Sequence, residues 1–248
     1  MRKLLDLKGI YVRGNGDEYR LRNIHLSINS GERIALLGQS GAGKSTLLEV
    51  ANGSLQPHSG HIKWRGIHLK HLTPKQRQRI ATLWQDLRLI EELTVVQNIN
   101  VGALGQHNLL WAFGNLLGTI ESKECLPYLE AAGLEEKHMT APIQKLSGGQ
   151  RQRVAIARLL RQQAELLLAD EPLSSLDPTL AGEVLELFLN KKAIQSIGIP
   201  ETCMISLHRP DLISNFTRVI GLKQGQIAFD CPVHNLLPFD INMLYINE

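Results

Sequence analysis

The sequence predicts an α/β fold: a core built around a phosphate-binding loop, with an antiparallel β subdomain and an inserted helical subdomain. Three observations predict it. The apolar run Ile34-Ala35-Leu36-Leu37 leads into Gly38-Gln39-Ser40-Gly41-Ala42-Gly43-Lys44-Ser45-Thr46 and then Leu47-Leu48-Glu49-Val50. That is the strand, glycine-rich loop and helix order that the pattern G-x-x-x-x-G-K-[ST] requires. A second apolar run, Leu166-Leu167-Leu168-Ala169, ends in Asp170-Glu171, and buried parallel strands read as continuous apolar runs of this kind. Between the two, residues 87–146 lose strand signals and read as mostly helical.

Composition bounds the answer. At 248 residues and 43% hydrophobic content, the chain fits one large domain, or a domain with an inserted subdomain, and has ample material for a core. A net charge of +3 is too small a bias to argue for nucleic acid. Cys125, Cys203 and Cys231 are widely separated and form no C-x-x-C pair, which suits a reduced, cytosolic protein without disulfides or a zinc site. Met1-Arg2-Lys3 is followed by only Leu4-Leu5 before Asp6, so no signal-peptide apolar region is read there. No run approaches the ~20 apolar residues needed to cross a bilayer. The expectation is a soluble chain that reaches a membrane by holding a partner.

Taken in order, residues 4–12 alternate loosely and read as a strand, and 13–17 form a turn cluster. Ile24, Leu26 and Ile28 alternate with polar partners and give a second strand, so an antiparallel hairpin precedes the loop. Tyr11 and Tyr19 lie in this hairpin; either could stack on an adenine ring or be a half-buried strand aromatic. In the loop itself, glycines let consecutive backbone N–H groups turn around a phosphate, and the helix N-terminus adds unpaired donors. Lys44 should reach the β and γ phosphates, and Ser45 should ligate Mg²⁺. Kinases, GTPases and motors share this loop, so the motif alone says only nucleoside triphosphate.

Downstream, residues 61–64 read as a short strand, Pro74 opens a polar helix ending near Ile80, and 81–84 read as a strand ending at Gln85. A glutamine there can ligate Mg²⁺, position water, or be a plain loop residue. Residues 95–101 and 123–132 are the better helices of the helical segment. The stretch 108–118 holds Leu109, Leu110, Trp111, Phe113, Leu116 and Leu117, read as an exposed patch for a partner in preference to subdomain core. Ser147 is the N-cap expected for a long helix through Arg161, with Gly148 and Gly149 exposing backbone N–H groups as a second anion site. Arg151, Arg153, Arg158 and Arg161 on that helix read as a solvated, ion-paired face. Asp170 can hold the Mg²⁺ shell and Glu171 can act as general base. Pro178 opens a helix with Leu180, Val184, Leu187 and Phe188 as its apolar stripe. Residues 203–206 form another strand with His208 just beyond it, 218–222 and 226–229 close the sheet, and the tail reads as short.

The phosphate loop, Gln85, Leu146-Ser147-Gly148-Gly149-Gln150, Leu166 to Glu171, Ser174-Ser175-Leu176-Asp177 and His208 stand in an order that resembles the ATP-binding subunits of ABC transporters across nearly the whole chain. The resemblance implies a P-loop NTPase core over 1–86 and 160–248 and a helical subdomain over 87–159, within a single ATP-binding domain spanning 1–248. It implies Tyr11 as the aromatic on adenine and Gly38 to Thr46 as the phosphate cradle. Gln85 becomes an Mg²⁺ contact that relays to the membrane subunit. Ser147, Gly148, Gly149 and Gln150 become contacts to ATP held by a second copy. Asp170 supports Mg²⁺, Glu171 is the catalytic carboxylate, Asp177 lies at the dimer seam, and His208 senses the γ-phosphate.

The implied partners are a second copy across two ATPs, transmembrane permease subunits and, indirectly, a periplasmic or surface solute-binding protein. The implied place is peripheral, on the cytoplasmic face of the inner membrane. Val101-Gly102-Ala103-Leu104-Gly105 followed by Trp111, Ser206-Leu207-His208 with Asp211-Leu212, Ile220-Gly221-Leu222, Ile227-Ala228-Phe229-Asp230 and Leu244-Tyr245-Ile246 are similar to phosphonate importers. The cargo this implies is phosphonate or a related phosphorus oxyanion, phosphite or phosphate. Arg209-Pro210 and Cys231-Pro232 depart from the family pattern. Alternatives are an ATPase of amino-acid import or lipoprotein release, or a non-transport ABC protein acting on DNA or ribosomes. The last class carries long coiled-coil insertions or tandem ATP modules, and neither is in this sequence.

Overall fold

The alternation of apolar residues in the first thirty positions becomes two long paired strands. The structure, a computed structural model, describes residues 2–14, 16, 18–118, 121–173, 176, 178–189, 199–208 and 210–245. In chain order the elements begin with β1 (Lys3–Arg13), β2 (Tyr19–Asn29), β3 (Arg33–Leu37), α1 (Lys44–Asn52), β4 (Ser59–Trp64) and β5 (Ile67–His68). Then come α2 (Pro74–Arg77), β6 (Ile80–Leu83), α3 (Val95–Val101), α4 (Leu109–Leu117), α5 (Ser122–Ala131) and α6 (Gly148–Gln162). The chain continues through β7 (Leu166–Ala169), α7 (Pro178–Leu189), β8 (Thr202–Ser206), β9 (Arg218–Lys223), β10 (Gln226–Pro232) and α8 (Pro238–Tyr245).

Two units organise these elements. The first comprises residues 1–72, 166–174 and 201–248. Its antiparallel sheet has the order β2-β1-β4-β5, with Leu7 opposite Leu26 and Ile10 opposite Ile24. Leu5, Leu7, Ile10 and Val12 are buried from β1, and Leu21, Ile24, Leu26 and Ile28 from β2, so both strands turn an apolar face inward. A mainly parallel sheet runs β10-β9-β3-β8-β7. β3 lies parallel to β8 and β9, and β7 parallel to β8. Every residue of β7 and β8 is buried, as is β3 after Arg33, which is why these strands read as unbroken apolar runs. The β9–β10 hairpin is antiparallel, and Arg22 N–H donates to Gly225 O at 2.8 Å, joining its turn to β2.

The second unit comprises residues 73–165 and 175–200. α6 buries Val154, Ala155, Ile156, Ala157, Leu159 and Leu160, and α3 and α5 pack against it. α3 starts at a capping box in which Thr94 and Gln97 satisfy each other's backbone N–H. α4 is inverted relative to an ordinary surface helix. Its buried residue is Asn115, bonded to Gln97 O and to Asn100, whereas Leu109 is 78% exposed and Leu117 86%. With Leu110, Phe113 and Leu116 also exposed, the leucines and the phenylalanine of α4 are surface and not subdomain core, while Trp111 is half-buried.

Two elements differ from the sequence reading. α2 stops at Arg77, well short of Ile80, because Ile80 is already the buried first residue of β6. The short tail contains α8, which buries Leu244. The four arginines of α6 are also less solvated than expected: Arg161 keeps 13% of its side chain exposed and pairs with Glu121. Arg151 and Arg153 do pair with Glu91 and Glu183. Among the described residues no helix is long and apolar enough to cross a membrane.

Candidate nucleotide-binding and hydrolytic site

The first unit builds a phosphate cradle where β3 hands over to α1. Gly38 has φ +155 and Gly43 φ +102, both disfavoured for side-chain-bearing residues. A Cβ on Gly38 would meet Leu222 O at 2.4 Å, and one on Gly43 would meet Arg20 O at 2.7 Å. The loop is therefore pressed against β2 and the β9–β10 turn, whose Gly225 N–H donates to Ala42 O at 3.0 Å. α1 has no side-chain cap, so its first-turn N–H groups and positive dipole end are left to a ligand. Ser45 and Ser40 are exposed at this mouth, Gln39 is half-buried, and Gly41 is exposed. Ala42 and Thr46 are buried beneath it.

Lys44 supplies the charge. Its side chain is 3% exposed, and Nζ donates to Gly38 O at 2.9 Å and Gln39 O at 3.1 Å. Glu171 Oε1 lies 3.6 Å from the same ammonium. A glycine-lined cradle, an uncapped helix start and a buried ammonium fit the triphosphate of a nucleotide.

The carboxylates follow directly on β7. Asp170 is 5% exposed, and its Oδ1 accepts from Ser206 Oγ at 2.9 Å. The same hydroxyl accepts from Glu171 N–H at 2.7 Å. Ser206, fully buried at the end of β8, thus fixes both acidic residues at once. Sequence reasoning placed it only at the end of a strand and in the Ser206-Leu207-His208 stretch, with no role at the carboxylates. Glu171 has φ +46, a left-handed conformation that costs a non-glycine residue about 1–3 kcal/mol and persists only when its surroundings hold it. Here they do: its carboxylate stands 2.5 Å from His208 Nε2 and faces Lys44. The structure brings Lys44, Asp170, Glu171 and His208 together in one unit. A carboxylate held between an imidazole and an ammonium, on strained backbone, is placed to accept a proton from a water beside the loop.

Among the described residues no three His, Cys, Asp or Glu side chains form a metal cage. Asp170 and Ser45 are oxygen donors of the kind that Mg²⁺ takes alongside phosphate oxygens and water. Tyr11 is half-buried on β1, edge-on to Tyr19 with ring centroids 5.7 Å apart, and Arg22 lies over Tyr19 at 5.9 Å. The hairpin thus presents a paired aromatic surface.

In the second unit, Gln85 is exposed in the turn that follows β6. Ser147 caps α6 in a full capping box: Gln150 N–H donates to Ser147 Oγ at 3.3 Å, and Ser147 N–H to Gln150 Oε1 at 2.9 Å. Gly148 and Gly149 form the first turn. The Gln150 amide is thereby occupied by the cap and by His138, whose Nε2 lies 3.2 Å from its nitrogen. Asp177, like Ser174 and Ser175, lies outside the described residues.

With this geometry in place, the likenesses to known proteins are informative. Residues 21–174 match the family described as ABC transporter. The chain is 37% identical over 249 residues to the phosphonates import ATP-binding protein PhnC of Pseudomonas fluorescens (strain Pf0-1), covering 98% of this chain and 92% of that one. It is 42% identical over 221 residues to the phosphonates import ATP-binding protein PhnC 1 of Trichodesmium erythraeum (strain IMS101), covering 88% and 85%. Among solved structures it is similar to the dimeric post-hydrolysis state of the ATP-binding cassette MJ0796 bound to ADP and Pi. That match has a TM-score of 0.79 and 27% identity over 94% of this chain and all of that one. It is likewise similar to cbiO1 from Clostridium perfringens, part of the transporter complex cbiONQ. The TM-score there is 0.73, with 26% identity over 99% of this chain and 100% of the other.

Proposed function

As the chain belongs to the ABC transporter family of ATP-binding proteins, we propose that it is the ATP-hydrolysing subunit of an importer for phosphonate or a related phosphorus oxyanion. The observation that carries the hydrolytic reading is the Glu171 carboxylate, held at φ +46 between Lys44 and His208. The cargo reading rests on near full-length likeness to proteins named for phosphonates import. Phosphite and phosphate are the nearest alternatives.

In this reading Gly38, Gln39, Ser40, Gly41, Ala42, Gly43, Lys44, Ser45 and Thr46 hold the triphosphate, and Tyr11 covers the adenine. Ser45, Asp170 and Gln85 would hold Mg²⁺, which would neutralise phosphate charge. Glu171 takes the proton of the attacking water, and His208 orients that carboxylate and touches the γ-phosphate. Ser206 holds Asp170 and Glu171 in register. Ser147, Gly148, Gly149 and Gln150 meet the ATP of a second copy, with Asp177 at the seam. The Gln150 contribution is then largely its cap, since its side chain already serves Ser147 and His138.

Two copies enclosing two ATPs would close on binding and open after hydrolysis, and permease subunits would convert that motion into transport. Residues 87–159 are the subdomain that carries the signature, and residues 1–86 and 160–248 the core. The exposed face of α4 is the surface offered to a partner, with Trp111 anchoring the helix through Glu121 Oε1 at 2.8 Å. The protein would work peripherally on the cytoplasmic face of the inner membrane, served indirectly by a solute-binding protein.

The test is a Glu171→Gln protein followed by light scattering and phosphate release. It should dimerise on adding ATP and hydrolyse at least 100-fold more slowly than wild type, since general bases contribute roughly 10²–10⁴. Normal turnover in that variant would sink the assigned base.

A further inference from the structure

We propose that Arg158 is a positioning residue that ties the signature helix α6 to the turn carrying Gln85, so that the two move as one body during the ATP cycle. This rests on the reading of Gln85 as a metal and permease contact. The observation is a fork: Arg158 Nη1 donates to Arg88 O at 2.7 Å and Nη2 to Leu87 O at 2.5 Å. The two carbonyls are the second and third after Gln85. Leu87 has φ +58 and Arg88 φ +46, consecutive left-handed residues that side chains disfavour and that persist only where the surroundings over-determine them.

The turn is closed on its other side as well. Leu87 N–H donates to Trp84 O at 3.0 Å, and the Arg88 guanidinium lies 4.0 Å from the centre of the Trp84 ring. Gln85 is therefore held in a loop whose distal end is fixed by α6.

Arg158 is itself firmly seated. A Cβ on Gly102, just past α3, would meet Arg158 O at 2.1 Å, so α3 rests directly on this point of α6. Ser147 caps the same helix eleven residues earlier, about 16 Å along a rigid rod. A displacement of the signature end is thus transmitted to the Gln85 turn through one side chain. Burial of the guanidinium pulls its pKa down, a cost that an ordinary surface arginine does not carry. Among the described residues its hydrogen bonds go to backbone carbonyls and not to a carboxylate. Two parallel donors in a plane are what two adjacent carbonyls require, and a lysine ammonium offers only a point charge.

The experiment uses the full-length protein and the variants Arg158→Met, Arg158→Lys, Gln85→Ala and Gln85→Ala/Arg158→Met. Three quantities are read: the Mg²⁺ concentration for half-maximal ATP hydrolysis, binding of a fluorescent ATP analogue in EDTA, and amide exchange at 86–88. Arg158→Met should raise the Mg²⁺ midpoint about tenfold, the usual cost of losing an outer support of a metal contact. Metal-free nucleotide binding should be unchanged, and exchange at 86–88 should quicken. The double variant should shift no further than Gln85→Ala alone. An additive shift, unchanged exchange, or lower activity with an unmoved Mg²⁺ midpoint would overturn the tie. If Gln85→Ala itself leaves the midpoint in place, the Gln85 reading fails, and exchange at 86–88 decides the tie independently. If Arg158→Met does not fold, Arg158→Lys carries the test with an intermediate shift expected; no shift overturns the proposal.

Discussion

Replacing Ser206 by alanine removes one oxygen atom and should disable the site without touching the phosphate loop. That hydroxyl donates to Asp170 Oδ1 at 2.9 Å and accepts from Glu171 N–H at 2.7 Å, and the residue is fully buried. Its loss removes the hydrogen bonds it donates to a carboxylate oxygen and accepts from a backbone donor at a buried position. At about 1–3 kcal/mol for each such group, the destabilisation should be about 3 kcal/mol, or roughly 6–12 °C in melting temperature for a chain of this size. The larger effect should be on turnover. Glu171 sits at φ +46 with its amide and its carboxylate both held. Freed at the amide, the residue relaxes and its carboxylate moves off the line set by Lys44 and His208. A misplacement of about 1 Å can cost on the order of 100-fold, so turnover should fall about 10- to 100-fold. The KM for ATP should stay within about threefold, because Lys44 and its carbonyl partners are untouched. Phosphate release at 15 °C, well below either melting transition, separates this from unfolding. Turnover within twofold of wild type at that temperature would refute the reasoning that Ser206 positions the base.

Other outcomes follow from the same geometry. Gly43→Ala should lose at least tenfold in binding of a fluorescent ATP analogue, because its Cβ would stand 2.7 Å from Arg20 O at φ +102. Ser147→Ala should cost about 1 kcal/mol in urea unfolding through loss of the α6 cap. At pH 8 a thiol reagent should label Cys231 ahead of Cys125 and Cys203, since burial pushes both of those thiols up to about 12; peptide mapping reads the order. For Asp6, burial alone would raise the pKa, but the Ser27 hydroxyl, then Lys3 and Lys8, outweigh it and hold it below 3.8. A carboxylate with a lowered folded pKa contributes stability above its unfolded value and loses it as pH falls through the folded one. The stability gap between wild type and Asp6→Asn should therefore be constant above pH ~5 and shrink below pH ~4 in acid-unfolding curves.

What was legible in the sequence was legible because it is local. Gly38 to Thr46 announces its own strand, turn and helix. Ser147 ahead of Gly148 and Gly149 announces the N-cap of α6. β7 and β8 are read as buried strands because burial on both faces leaves no polar alternation. The hairpin β1–β2 follows from period-two patterning around one turn cluster. What escaped depends on contacts distant in sequence. Ser206 becomes significant only when β8 lies beside β7, and nothing near Ser206 shows it. Arg158 was grouped with Arg151 and Arg153 because charge on a helix suggests solvent, yet its partners are carbonyls seventy residues earlier. α8 was missed because Pro238 to Tyr245 mixes apolar and polar residues without a clear stripe, and only Leu244 is buried. α4 was recognised as a patch, but its buried side is Asn115, a polarity no hydrophobic period reveals.

The central claim is that ATP hydrolysis at Glu171 drives import of a phosphorus oxyanion, and uptake of a labelled phosphonate tests it most directly. Cells deleted for this gene would carry no copy, the wild-type gene or Glu171→Gln, with phosphite and phosphate as competitors. Uptake restored by wild type alone is the predicted result, and the competition would rank the cargoes. Equal uptake in all three strains would contradict the cargo assignment, and uptake restored equally by Glu171→Gln would contradict the role of Glu171 in powering it.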